Sequence, residues 1–256
     1  MEYRTAGEIG FITGKWPLEL HKPTLVFIHG AGASRLLWES QVEGLSSYAN
    51  TVAIDLPGHG TSHGKGRDSI SDYAQAVNDF LDLVQVPRPI PCGLSMGGAI
   101  TQDLIINTPG RFPAGILINT GARLKVLPLI FETIGKSYDE YVKLSGAFAI
   151  SPKNSTETLT SRVAACLQST AEVVLGDFQA CDAFDVMGQL DLIHVPMLVL
   201  TASDDILTPP KYGSYLAGNV KDAYSVNIDD AGHFSPIEKP IEVNNAIHGF
   251  LMRLAL

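Results

Sequence analysis

The five residues Gly93-Leu94-Ser95-Met96-Gly97 constrain this chain more than any other stretch. An apolar, proline-rich run from Val86 to Cys92 precedes them, and a helix-like run from Gly98 to Ile106 follows. Glycine at the first and last positions lets the backbone turn sharply from strand into helix, a strained path on which side chains would collide. Serine at the apex is then held off the end of a sheet with its hydroxyl exposed, the G-x-S-x-G arrangement of a nucleophilic serine.

Such a turn needs a sheet, and the rest of the chain supplies one. Thr24 to Ile28, Thr51 to Ile54, Ile90 to Cys92, Gly115 to Asn119, Met197 to Leu200 and Tyr224 to Ile228 are short strand candidates, most of them continuous apolar runs of the kind that forms buried strands. Between them lie helix-like stretches. From Ile70 to Val84 the apolar residues Tyr73, Ala76, Val77, Phe80, Leu81 and Val84 recur at three- and four-residue steps. Buried strands alternating with helices predict a mostly parallel, twisted sheet with helices on both faces. With 256 residues, 45% of them hydrophobic, one sizeable core is expected.

The rhythm breaks between Gly121 and Gln189, where no good strand candidate stands. Asn154-Ser155-Thr156-Glu157 and Ser169-Thr170-Ala171-Glu172 fit the capping-box spacing of helix starts. Three or four inserted helices are expected there, forming a cap (121–189) over a core made of 1–120 and 190–256. Ligands of such a sheet bind beyond the carboxyl ends of its strands.

A serine hydroxyl is a poor nucleophile unless a base takes its proton and an acid orients that base. His233 follows the last strand candidate and precedes the final helix, so it stands beyond a strand end. His194 precedes a strand at its amino end, His248 falls in the last helix, and His21 in a polar turn. Asp205, just after Met197 to Leu200, is the expected acid. Asp204 is its neighbour, and Asp229 and Asp230 lie too close to His233 in sequence to reach the far ring nitrogen. No carboxylate follows the strand ending at Asn119. The order Ser95, Asp205, His233 is one of the known serine-hydrolase orders. The Met96 N–H, at a helix start, and the Ala31 N–H, in His29-Gly30-Ala31-Gly32, are the expected oxyanion donors. His29 is expected to brace that loop.

Composition narrows the partners. The formal net charge is -9, and no basic stripe suits nucleic acid. No stretch reaches membrane-span length, and the polar start from Met1 to Thr5 is unlike a signal peptide, which points to the cytoplasm. Cys92, Cys166 and Cys181 lack disulfide or zinc spacing and are expected as small buried apolar residues.

With these residues together, the chain resembles the α/β-hydrolases of the small, capped, single-domain group, which includes carboxylesterases, 3-oxoadipate enol-lactonases, meta-cleavage C–C hydrolases and cofactor-free haloperoxidases. The resemblance covers nearly the whole chain and rests on His29-Gly30, the turn Asp55-Leu56-Pro57-Gly58-His59-Gly60-Thr61-Ser62, Gly93-Leu94-Ser95-Met96-Gly97-Gly98, and the triad. Where the family usually has Gly-x-x-Asp with proline four residues on, Ala202 replaces the glycine while Asp205 and Pro209 keep the register. The resemblance implies that the Asp55 turn is structural. Leu117-Ile118-Asn119-Thr120-Gly121-Ala122-Arg123 is similar to the segment entering the cap of enol-lactonases and related esterases. Serine rather than aspartate at position 95 disfavours dehalogenase and epoxide hydrolase chemistry, and Ala31 replaces the aromatic residue typical of the peroxidases.

The expectation is a serine hydrolase of small acyl or aromatic carboxylic esters, using no cofactor and no metal, with a small-molecule ester or lactone substrate and neither nucleic acid nor membrane as partner. Leu129, Ile130, Phe131, Phe148 and Phe184 are the candidate pocket residues. Enol-lactone or C–C bond hydrolysis on the same triad is the alternative, and a triad-retaining ligand receptor a more distant one.

Overall fold

A computed structural model describes residues 1–167 and 169–254. Its strands are β1 (Glu2–Ala6), β2 (Ile9–Thr13), β3 (Thr24–Ile28), β4 (Asn50–Ile54), β5 (Pro89–Leu94), β6 (Gly115–Ile118), β7 (Met197–Ala202) and β8 (Ala223–Ile228). They form one sheet in the order β1-β2-β4-β3-β5-β6-β7-β8. The pairs β1–β2 and β2–β4 are antiparallel and all others parallel.

The helices are α1 (Glu39–Leu45), α2 (Ile70–Val84), α3 (Met96–Asn107), α4 (Pro128–Lys136), α5 (Tyr138–Ala149), α6 (Glu157–Cys166), α7 (Ala171–Ala183), α8 (Pro210–Asn219), α9 (Ser235–Glu238) and α10 (Pro240–Leu254). Because successive side chains of a strand point to opposite faces, a strand covered on both sides must be apolar throughout. In β3, Val26 and Ile28 join one core with Tyr73, Val77 and Phe80 of α2 and Ile100 and Leu104 of α3. Leu25 and Phe27 join the other core, with Val42 and Leu45 of α1 and Val243, Ile247 and Phe250 of α10.

The hairpin β1–β2 has no counterpart in the sequence reading. Glu2 to Thr5 are exposed, so β1 lacks the apolar pattern that marks a strand. Helix α2 keeps the expected bounds, with Ser69 accepting from the Asp72 N–H at its start. Between β6 and β7 stand the four helices α4 to α7. Two of their starts differ from the capping-box expectation. Thr156, not Asn154, caps α6, and Thr170, not Ser169, caps α7, each hydroxyl accepting from the N–H three residues on. In both cases the threonine next to the first helical residue has the reach that the earlier polar residue lacks.

Asp55, buried at the end of β4, pairs with Arg35 and accepts from the Arg35 and Thr61 N–H groups. This pins the turn after β4 to the loop after β3, the structural role its resemblance implies. Among the described residues, no helix is long and apolar enough to cross a membrane.

Candidate active site

Ser95 sits between β5 and α3 with φ 54° and ψ -116°, left-handed backbone that a non-glycine residue rarely adopts. The turn is tight enough that a side chain on Gly97 would run into the Ile28 carbonyl oxygen. Hydrogen bonds hold the strained turn: Ser95 N–H to the Ile118 carbonyl at 3.0 Å, and to the Ser95 carbonyl Gly98 N–H at 2.9 Å, Ala99 N–H at 3.2 Å and Thr120 Oγ1 at 2.8 Å.

His233 lies in the loop between β8 and α9. Its Nδ1 is 2.8 Å from Asp205 Oδ2, and both residues are buried. The Leu207 and Thr208 N–H groups donate to Asp205 Oδ1 at 2.9 and 3.0 Å. Burial pushes the Asp205 carboxyl up, but the His233 charge, its hydrogen bond and the Thr208 donors outweigh this and hold it below the ordinary aspartate value. Asp204 turns elsewhere. It accepts from Ser151 Oγ at 2.6 Å and faces Lys153. Asp230 pairs with Lys153 and Asp229 accepts from Asn227.

Two residues at this site were not among the sequence's candidate site residues. Thr208 Oγ1 lies 2.8 Å from Asp205 Oδ2, 3.1 Å from His233 Nδ1 and 2.7 Å from the Asn119 carbonyl. Asn119, left-handed at φ 44°, donates through Nδ2 to the His233 carbonyl and to Ser235 Oγ, both at 2.9 Å. A polar residue just past the end of β6 was the available signal. Asn119 clamps the histidine loop to the sheet from the strand end where no carboxylate stands.

The loop after β3 approaches the serine turn closely. A side chain on Gly30 would come within 3.2 Å of Ser95 Cβ. Met96 opens α3, so its N–H belongs to the first turn, whose donors have no helical acceptor. His29 braces the loop: Nδ1 meets the Gly30 carbonyl at 2.9 Å, and Nε2 accepts from the Leu56 N–H at 3.0 Å. Complete burial, helped by nearby His59, pushes its pKa down to about 3.

A second buried histidine–aspartate pair lies behind this loop. His59 Nε2 is 2.8 Å from Asp177 Oδ2 of α7, and His59 Nδ1 is 3.0 Å from the Pro57 carbonyl. A carbonyl on one ring nitrogen and a carboxylate on the other both favour the protonated ring. Burial opposes that charge, but Asp177 outweighs it and the His59 pKa is raised.

Ser95, Ala31 and His233 line one cavity of about 260 Å³, roofed by residues of the α4–α7 segment. Leu129, Ile130 and Phe148 are among its walls; Phe131 and Phe184 are not. On α4, Leu129, Ile130 and Thr133 share the cavity face, and one more residue step turns Phe131 away. Phe184, just past α7, packs into the core beneath. Tyr141, Leu144, Ser145 and Phe148 of α5 line the cavity together; their i, i+3, i+4, i+7 spacing was the legible sign of that face.

Sheet order, serine turn and helical insertion define an α/β hydrolase. The model of the Alpha/beta hydrolase family matches residues 25–246, and the chain belongs to that family. It is 26% identical over 248 residues to 3-oxoadipate enol-lactonase 2 of Acinetobacter baylyi, covering 91% of this chain and 90% of that protein. It is 27% identical over 232 residues to a pimeloyl-[acyl-carrier protein] methyl ester esterase of Pectobacterium carotovorum, covering 84% and 89%. A solved structure of a thermophilic esterase superposes with a TM-score of 0.82 at 29% identity, covering 96% of this chain and 94% of that one.

Proposed function

We propose that the protein hydrolyses carboxylic esters with apolar acyl or aryl groups through an acyl-enzyme on Ser95. The observation that carries this reading is His233, bonded through Nδ1 to buried Asp205 while its ring lines the cavity of Ser95. With Nδ1–H given to Asp205, Nε2 holds the lone pair. It takes the Ser95 proton as Oγ bonds to the ester carbonyl carbon. The Ala31 and Met96 N–H groups receive the oxyanion. Collapse breaks the ester C–O bond and His233 returns the proton to the departing alcohol. His233 then draws a proton from water, which attacks the acyl carbon and releases the acid and Ser95. Asp205 stays ionised throughout and stabilises the imidazolium.

The cavity supports the apolar preference. Its walls are mostly aliphatic and aromatic, and Leu127, Leu129, Phe148, Ile206 and Leu207 carry that character out to exposed positions. Among the described lining residues Lys125 is the one lysine or arginine, and its ammonium donates to the Asp182 carbonyl at 2.7 Å. An anionic substrate would compete with that contact. The α4–α7 segment serves in this reading as the cap. The three cysteines, buried and unpaired among the described residues, suit a reducing cytoplasm.

Hydrolysis of an enol-lactone on the same residues is the second reading, favoured by the likeness to the Acinetobacter lactonase. A panel of p-nitrophenyl esters of graded acyl length, run beside lactones with Ser95→Ala as control, separates the two. Turnover rising with acyl length supports the ester reading, and a lactone turned over far faster than any ester overturns it.

A further inference from the structure

We infer that Asp177, on the helical insertion and outside the cavity, is the positioning residue for the Ala31 oxyanion donor. The inference rests on the reading of Ser95 and Ala31 proposed above. Asp177 is fully buried in α7, and three donors from three separate segments converge on it. The Gly32 N–H donates to Oδ2 at 2.8 Å, His59 Nε2 to Oδ2 at 2.8 Å, and Tyr73 Oη of α2 to Oδ1 at 2.6 Å.

The consequence follows from peptide planarity. The Ala31 N–H shares a peptide plane with the Gly30 carbonyl, which is held by His29 Nδ1 and by the Ala33 N–H at 3.2 Å. The next plane, between Ala31 and Gly32, ends in the N–H that Asp177 holds. Ala31 is therefore fixed from both sides, by His29 before it and Asp177 after it. An oxyanion donor must already point at its target before the reaction, since reorganising it during the reaction forfeits its advantage.

Gly32 has φ +67° and no side chain of its own, so without the carboxylate the loop has conformations to drift into. The fixing carboxylate is itself held: its own partners are the His59 ring, which lies tilted at 4.8 Å from the His29 ring, and Tyr73. Because Asp177 belongs to the insertion, seating that insertion and assembling the oxyanion site are one event.

The test uses p-nitrophenyl butyrate turnover and inhibition by phenylboronic acid, which forms a tetrahedral adduct with an active serine. In Asp177→Ala, kcat falls about 30- to 100-fold with KM within about twofold, and the boronate Ki rises in parallel. Asp177→Asn, which keeps an oxygen for the Gly32 N–H, recovers most of that loss. A folded Asp177 variant with wild-type kcat and boronate affinity, or with a loss confined to KM, overturns the inference. If neither variant folds, Tyr73→Phe decides. It removes one of the three partners, and kcat falls about threefold with a parallel change in boronate affinity; no change in either overturns the inference. An inactive Ser95→Ala beside fully active Asp177 variants sinks this inference alone, whereas an active Ser95→Ala sinks the reading beneath it.

Discussion

Among the described residues, two histidine–aspartate pairs stand out, each buried and each 2.8 Å from nitrogen to oxygen. By distance and burial they are alike; by the second ring nitrogen they differ. In His233 that nitrogen belongs to a ring lining the cavity of Ser95. In His59 it is bonded to the Pro57 carbonyl, so the ring has no free lone pair and no proton to spare. A carboxylate beside an imidazole is equally suited to acid–base work and to a permanent ion pair. What the other nitrogen touches decides which.

The comparison is most sharply tested by removing the group that His233 serves. Ser95→Ala should lower kcat/KM for aryl esters by at least about 10⁴-fold with the unfolding midpoint unmoved. Asp205→Asn should cost about 10³-fold in kcat in protein that stays folded, because the imidazole loses its oriented tautomer. The opposite is expected of the second pair. His59→Ala should cost about 3–5 kcal/mol in urea unfolding, since it strips buried Asp177 of its ring partner and leaves only the Gly32 and Tyr73 donors. Equal stability of the Asp205 and His59 variants would erase the distinction.

A smaller effect concerns pH. His29, ordinarily near 6.5 and held near 3 in the fold, binds fewer protons folded than unfolded between those values. Stability therefore falls as pH falls through that window, by up to about 1.4 kcal/mol per unit from this group. His59 acts in the other direction: its raised pKa stabilises fully below 6.5, and that stabilisation is lost as pH rises through the folded value. Urea unfolding from pH 7 to pH 5 should show a flatter slope in His29→Gln than in wild type. The smallest effect is a null. Asp204→Asn, adjacent to the acid but turned to Ser151 and Lys153, should change kcat less than about threefold.

The parts legible in the sequence are those whose signal is local. A strand covered on both faces must be apolar along its length, so β3, β4 and β7 announce themselves. The turn at Ser95 needs its glycines within five residues. The exposed strand β1 leaves no such trace. Asp177 is a lone carboxylate among Val174, Leu175, Phe178 and Ala180, the kind of polar residue on an apolar helix that marks a buried partner without naming it. Its partners lie 104 to 145 residues away.

By itself, then, the sequence determined six of the eight strands, the serine at the end of a central one and the carboxylate and histidine candidates, because covalent spacing and periodicity carry that information along the chain. Only the tertiary structure decided which aspartate meets which histidine, which helix faces close the cavity, and which buried pair keeps a nitrogen free. Those outcomes depend on side chains brought within 3 Å by the packing of distant segments, and no local pattern records that.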